Sequence, residues 1–273
     1  MSIWRLALTG RWLSGLALAI VFALVASLFG LWQWDRRGQA VAEIDRVEAN
    51  FDQQPVAVAD LLGPGVEWND DLKWRQVIVQ GEYLVDDMLL VRTRPRAGAV
   101  GFEVVVPFVA TSGDSWLVNR GWIPTGETRD EPDVIPAAPG GQVTLTARVM
   151  PGEPDIPGRS APAGQLATIS LPEATARTGV DIDQRAYLAL VSEDPAISPT
   201  PLLVQRPAAD EGPHLSYTFQ WFLFGILGFI AWGYLLREEH RRSRGLGTPV
   251  TPARDRDEDI EDRELDALAE GQR

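Results

Sequence analysis

Two stretches without a charged side chain constrain this 273-residue chain more than any other feature: residues 12–34 and 215–236. A helix crosses the hydrocarbon core of a bilayer with about 20 apolar residues, so each stretch is long enough to span. A cleaved signal peptide would have an apolar core of roughly 7–15 residues followed by a small-residue cleavage site. The first run is longer than that and ends in the bulky LWQWDRR, so it reads as a retained anchor. Arg5 and Arg11 precede it, and Arg237, Arg241, Arg242 and Arg244 follow the second run. Cytoplasmic flanks carry the excess of Lys and Arg, which predicts both termini in the cytoplasm. Arg36 and Arg37 vote the other way, but they head a long translocated segment, where the rule loses force. The plan is a multi-pass protein of the plasma membrane. It has a cytoplasmic N-terminus (1–11), a span (12–34), an extracytoplasmic domain (35–214), a second span (215–236) and a cytoplasmic acidic tail (237–273). Gly15, Ala19, Ala23, Ser27 and Gly30 recur at near-helical spacing in the first span, and Gly225, Gly228 and Ala231 in the second. Small residues let helix backbones approach in lipid, which predicts that the spans pack on each other; ordinary membrane-helix composition accounts for them equally well.

Composition removes several classes of chemistry. The chain has no cysteine, so disulfides, thiolate metal sites, iron–sulfur clusters and thiol catalysis are excluded. Two histidines and three methionines are a poor supply for copper. A formal charge of -13 argues against nucleic acid as a partner, since phosphates reward clustered basic residues. No nucleophile elbow, HExxH, Walker loop or GxGxxG occurs, and no pair of acids stands out for general acid–base work, so no enzymatic activity is expected.

Between the spans, residues 36–53 place Val41, Ile44, Val47 and Phe51 on one helical stripe, which predicts that the first span continues as a helix beyond the membrane. After Gly63-Pro64-Gly65 the period changes. WRQVIVQGEYL, MLLVRTR, GFEVVVPFVA, SWLVNRGWI, GQVTLTARV, AYLALVS and PLLVQR are short β-rich runs separated by Gly, Pro and Asp. They predict a membrane protein of α+β class, with two transmembrane helices flanking a β-rich domain built as an antiparallel sheet or partly open barrel. PEATARTG reads as one further short helix, and residues 150–165 as a Pro/Gly-rich loop. The low apolar content and dense acid beyond Arg244 predict a disordered tail.

Polar residues mark the outer end of each span. FGLWQWDRR places Trp32, Gln33 and Arg36 there, with Trp32 and Arg36 four apart on one helix face. HLSYTFQW mirrors it with His214, Tyr217 and Trp221 on one face and Gln220 beside them. Interfacial anchoring explains the tryptophans alone. A polar amide at the edge of lipid, however, usually finds a protein or ligand partner, so folding the spans together predicts a shared polar pocket. RTRPR supplies Arg92, Arg94 and Arg96, and VNRGW supplies Arg120. They form either a solvated edge that blunts a strand or a clamp for an anionic group.

LWQWDRR, WRQVIVQGEYL, LLVRTRP, GFEVVVPF, WLVNRGWIP and HLSYTFQWF occur in the order seen in the surfeit locus protein one family, and the chain resembles that family over residues 25–236. The resemblance implies a cytochrome c oxidase assembly factor acting on the catalytic subunit of a haem–copper oxidase, around delivery or insertion of haem a. A haem a-synthesising enzyme would be a further partner, beside membrane lipid. It also implies that the histidine heading the second span, His214, is the ligand to the haem iron. Trp32, Gln33, Arg36, Tyr217, Gln220 and Trp221 would then line the pocket around the ring, and Arg92, Arg94, Arg96 or Arg120 would meet its propionates. Two other readings stay open: a cofactor-free scaffold for the same subunit, and an extracytoplasmic ligand sensor signalling through the acidic tail.

Overall fold

The computed structural model describes residues 2–246, so most of the expected acidic tail lies outside the described residues. In chain order the elements are α1 (Ile3–Ala7), α2 (Gly10–Asn50), β1 (Val56–Ala57), α3 (Val58–Leu62), β2 (Gln76–Tyr83), β3 (Leu89–Arg96) and β4 (Ala99–Ala110). They continue with β5 (Ser115–Pro124), β6 (Val143–Met150), β7 (Gln165–Leu166), α4 (Leu171–Thr178), β8 (Tyr187–Asp194) and α5 (His214–Arg242). They form two compact units. Residues up to Gly38 and from Gly212 make a helical unit, and Gln39–Glu211 make a β unit.

In the helical unit α2 and α5 run antiparallel, with small residues where their backbones come close. A Cβ added at Gly225 would lie 3.5 Å from Ala23 Cα, and one at Gly228 would lie 3.1 Å from the Phe22 ring. Farther along, the Trp232 indole covers Gly15 and its Nε1 donates to the Trp12 carbonyl at 3.1 Å. The two indoles meet edge to face at 6.4 Å. The short α1 folds back so that Leu6 joins Trp12 and Leu236 in a small buried cluster. Both long helices are long and apolar enough to cross a membrane, and only 17% and 11% of their most apolar windows are buried. The core helices of a water-soluble protein would be mostly buried. Apolar side chains turned outward along both helices suit lipid and associate this unit with a membrane.

The β unit is a closed barrel. Strands β2, β6, β8, β5 and β4 neighbour one another in that order, and β4 returns to pair with β2. β3 extends the sheet from β4, with two-residue strands β7 and β1 added at the margins. Sequence alternation placed the strands, and on β2 the sides alternate cleanly, with Val77, Val79 and Tyr83 buried and Ile78 and Gln80 exposed. Of the expected antiparallel sheet or partly open barrel, the structure forms a barrel, but a closed one, and the cause of closure is local. β2 pairs with β6 from Gln76 to Gly81, then with β4 from Gly81 to Tyr83, so Gly81 is the corner where it changes partner. An added Cβ there would stand 2.0 Å from the Val109 carbonyl oxygen, an approach only glycine permits. A further correction concerns direction. β5 and β8 are parallel, at Val118–Leu188 and Asn119–Ala189. PLLVQR is not a strand; Leu202 alone bridges to Trp122.

Several strands are buried on both faces. Val104, Val106 and Phe108 of β4 point into the barrel, while Val105 joins Leu117, Leu166, Leu171 and Ile182 in a second cluster under α4. That explains the unbroken apolar run VVVPF, residues 104–108, where simple alternation would have left one face polar. Residues Gln39–Asn50 of α2 pack on the β unit. Val47 and Phe51 bury against Trp74, and Asn50 Nδ2 donates to the carbonyls of Asp71 and Lys73. The lone lysine ties this helix to the domain, since Lys73 Nζ and Trp74 Nε1 both donate to Glu43 Oε1, at 2.6 and 2.9 Å. Burial tends to raise the Glu43 carboxyl, but donors from Lys73, Trp74 and Arg46 outweigh it and hold the group below the ordinary glutamate range.

Candidate functional site

The polar ends of the two long helices do meet. His214, the first residue of α5, places Nδ1 2.8 Å from Gln33 Oε1 on α2. Proline at position 213 starts the helix without a side-chain cap, so the imidazole is not consumed by capping. One turn on, Thr218 is buried and its hydroxyl donates to the His214 carbonyl at 2.9 Å. After one more turn, Trp221 stacks on Phe29 of α2 with ring centroids 4.8 Å apart and planes 24° apart. Gly30 completes this end by leaving room for the Phe222 ring, 3.1 Å from where its Cβ would be. The arrangement is a half-buried imidazole and amide above a stacked aromatic pair, at the end of an apolar helix pair.

Other residues expected here take different positions. Tyr217 and Trp32 are about half exposed, at 45% and 54%. Arg36 lies one turn beyond Gln33 in an exposed position on α2. Gln220 is exposed and, at 3.6 residues per turn, about 120° round the helix from His214, so it does not share the buried face. Phe29 and Thr218 belong to the face and escaped the sequence reading, because an aromatic or a threonine inside an apolar run carries no distinguishing signal.

The four arginines, expected as a solvated strand edge or an anion clamp, lie in the β unit, and two of them are committed to carboxylates. Arg120 is fully buried. It donates to Glu193 Oε1 at 2.7 Å and to the carbonyls of Pro136 and Ala137, and its guanidinium lies 5.5 Å from the centre of the Tyr83 ring. Two β-bulges bring this pair together. Val105 faces Asn119 while Val104 faces Gly121, leaving Arg120 as the extra residue, and a second register shift precedes Glu193 on β8. VNRGW is therefore a bulge motif: Gly121 takes φ 128° and its N–H is held by Asn119 Oδ1. Arg94 donates to Glu103 at 2.7 Å and in two bonds to Glu153. Burial and the Glu153 charge push the Glu103 carboxyl up, against the pull of Arg94. Two carboxylates on one guanidinium leave no positive charge to spare for an anion. Arg96 donates to the carbonyls of Leu202 and Leu203 and so fixes that segment, while Arg92 is half-buried within the β3 bulge between Val91 and Arg94.

The helix pairing can be tested directly, because the chain has no cysteine of its own. A Cβ at Gly225 would be 3.6 Å from Ala23 Cβ, inside the range of about 3.5–4.5 Å that a disulfide spans. Oxidising an Ala23→Cys/Gly225→Cys variant in membranes should join the two helices. Fragments cut within the connecting domain would then stay together until reduced. Equal cross-linking of a Leu24→Cys/Gly225→Cys control would contradict the register described here.

Comparison with known proteins adds an independent line. The family model described as the SURF1 family matches residues 19–226. A SURF1-like protein of Mycobacterium bovis is 31% identical over 250 residues, covering 88% of this chain and 90% of its own length. A SURF1-like protein of Caenorhabditis elegans is 24% identical over 257 residues, covering 84% of this chain and 76% of that one. The cytochrome oxidase assembly protein SHY1 of Saccharomyces cerevisiae is 26% identical over 121 residues, 43% of this chain and 30% of the yeast protein.

Proposed function

The chain belongs to the SURF1 family, and from that premise we propose that it is a non-enzymatic assembly factor for a haem–copper terminal oxidase, working through transient binding of haem a at His214. The name of the yeast relative carries the link to oxidase assembly. The observation that carries the site is the 2.8 Å contact between His214 and Gln33, which sets an imidazole at the end of a lipid-facing helix pair. In the orientation we propose, both termini are cytoplasmic, the helices cross the plasma membrane and the β unit is extracytoplasmic. The client is the oxidase catalytic subunit, and a haem a-synthesising enzyme is the source of the cargo.

The residues present suit such a cargo. Haem iron takes an imidazole as axial ligand, and His214 offers a single one. An added Cβ at Gly212 would lie 3.3 Å from His214 Nε2, so the glycine keeps that nitrogen approachable. Trp221 and Phe29 supply a flat apolar wall. A lone protein ligand and a site open to lipid suit release as well as capture, and lipid would accommodate the long hydrophobic tail of haem a.

Full-length protein purified from cells that make haem a should show a haem a spectrum that disappears in His214→Ala, with the protein still folded. Wild-type protein that copurifies with the oxidase catalytic subunit but carries no haem would replace this reading with a cofactor-free scaffold.

A further inference from the structure

We propose that Gln33 is a positioning residue for His214, holding the imidazole in its Nδ1-protonated tautomer so that Nε2 keeps the free lone pair. The geometry is that of an amide oxygen, Gln33 Oε1, 2.8 Å from Nδ1. An amide oxygen only accepts, so the ring nitrogen facing it must carry the proton, and a neutral imidazole has one to give. It is Nδ1, not Nε2, that the Gln33 oxygen engages. The side of the ring bearing Nε2 faces Gly212, which at φ 67° needs no side chain and adds none. Gln33 is itself half-buried on α2.

The choice of an amide has a consequence. A carboxylate at this position would draw the Nδ1 proton toward itself and make Nε2 a stronger donor to a metal, whereas an amide fixes the tautomer with little added basicity. Gln33 thus presents a ligand that is correctly protonated yet modest in strength, as a carrier that must let go requires. The tautomer stands on the hydrogen bond alone; its consequence for cargo rests on the haem a reading of the site.

The test uses the full chain in lipid nanodiscs with nitrogen-15-labelled histidine and His240→Gln, so that His214 alone reports. At a pH where the ring is neutral and without haem, wild-type protein should show a protonated Nδ1 and an unprotonated Nε2. Gln33→Leu should show a mixture of tautomers or the reverse one, and Gln33→Glu should restore the Nδ1 proton. Titrated with haem a, Gln33→Leu should bind about 10–100-fold more weakly than wild type, the usual effect of losing a group that orients a metal-ligating histidine. Gln33→Glu should bind at least as tightly as wild type. Should Gln33→Leu fail to fold, the wild-type and Gln33→Glu spectra still decide the matter. A proton on Nε2 in the wild type would overturn the proposal, as would a Gln33→Leu protein with unchanged tautomer and affinity. Wild-type protein with the Nδ1 proton in place that takes up no haem a would support the role of Gln33 while removing the haem reading.

Discussion

Arg120→Ala is expected to destabilise the β unit by about 3–5 kcal/mol, the cost of leaving a buried charge without its partner. The side chains of Arg120 and Glu193 are 0% and 3% exposed, so water cannot replace what is lost. Glu193 would keep only the Tyr83 hydroxyl, 3.0 Å from its second oxygen. Burial, with the Glu193 charge adding to it, pushes the Tyr83 hydroxyl far above its ordinary range, so it remains a neutral donor and cannot balance the carboxylate. The carbonyls of Pro136 and Ala137 would also lose their donor, loosening the loop they anchor. Thermal unfolding of the full chain in detergent should show the β transition about 10 °C lower. Replacing both partners by apolar side chains, Arg120→Met with Glu193→Leu, should recover much of the loss, because no charge is then stranded. A single variant that loses less than about 1 kcal/mol would show the pair to be solvated in practice. The same prediction separates two readings of the VNRGW motif. A structural arginine lowers the melting temperature with no haem present, whereas a ligand clamp would change cargo binding first.

Gly81→Ala is the second large effect, expected to cost about 3 kcal/mol or more, at the upper end of what overpacking produces. The new methyl would fall 2.0 Å from the Val109 carbonyl oxygen and 2.8 Å from both Ala110 Cα and the Phe108 ring. Two of these three neighbours are backbone and cannot rotate away. Relief requires β2 to separate from β4, which would open the barrel at the corner that closes it. Amide hydrogen exchange should therefore speed up first at Gly81–Tyr83 and Phe108–Ala110. An alanine variant with wild-type stability and protection would contradict the closure described here. Gly98, where no atom approaches an added Cβ within 4 Å, gives a contrast: its φ of 82° still makes alanine mildly unfavourable, without the clash.

The sequence revealed the features that depend on local pattern. The two long helices were readable because spanning a bilayer demands an uncharged run of fixed length, and β2 because its sides alternate. The meeting of Gln33 and His214 was inferable because both are polar residues at the same expected end of apolar runs. Closure of the barrel was not readable, since it turns on one glycine at which a strand changes partner. The roles of the arginines were hidden for a similar reason. Arg120 meets a carboxylate 73 residues away and Arg94 one 59 residues away, and charge seen along a sequence says nothing about distant partners. The arginine cluster could be read as a solvated edge or an anion clamp because Glu153 and Glu193 lay far along the chain; only Glu103, nine residues from Arg94, was close by.

The central claim is that this chain helps to mature a haem a-containing oxidase and that His214 is the residue through which it does so. Deleting the gene and recording reduced-minus-oxidised spectra of the membranes tests it most directly. The account predicts a diminished a-type signal, restored by the wild-type gene and not by a His214→Ala gene expressed to the same level. An a-type signal that is unchanged after deletion would contradict it.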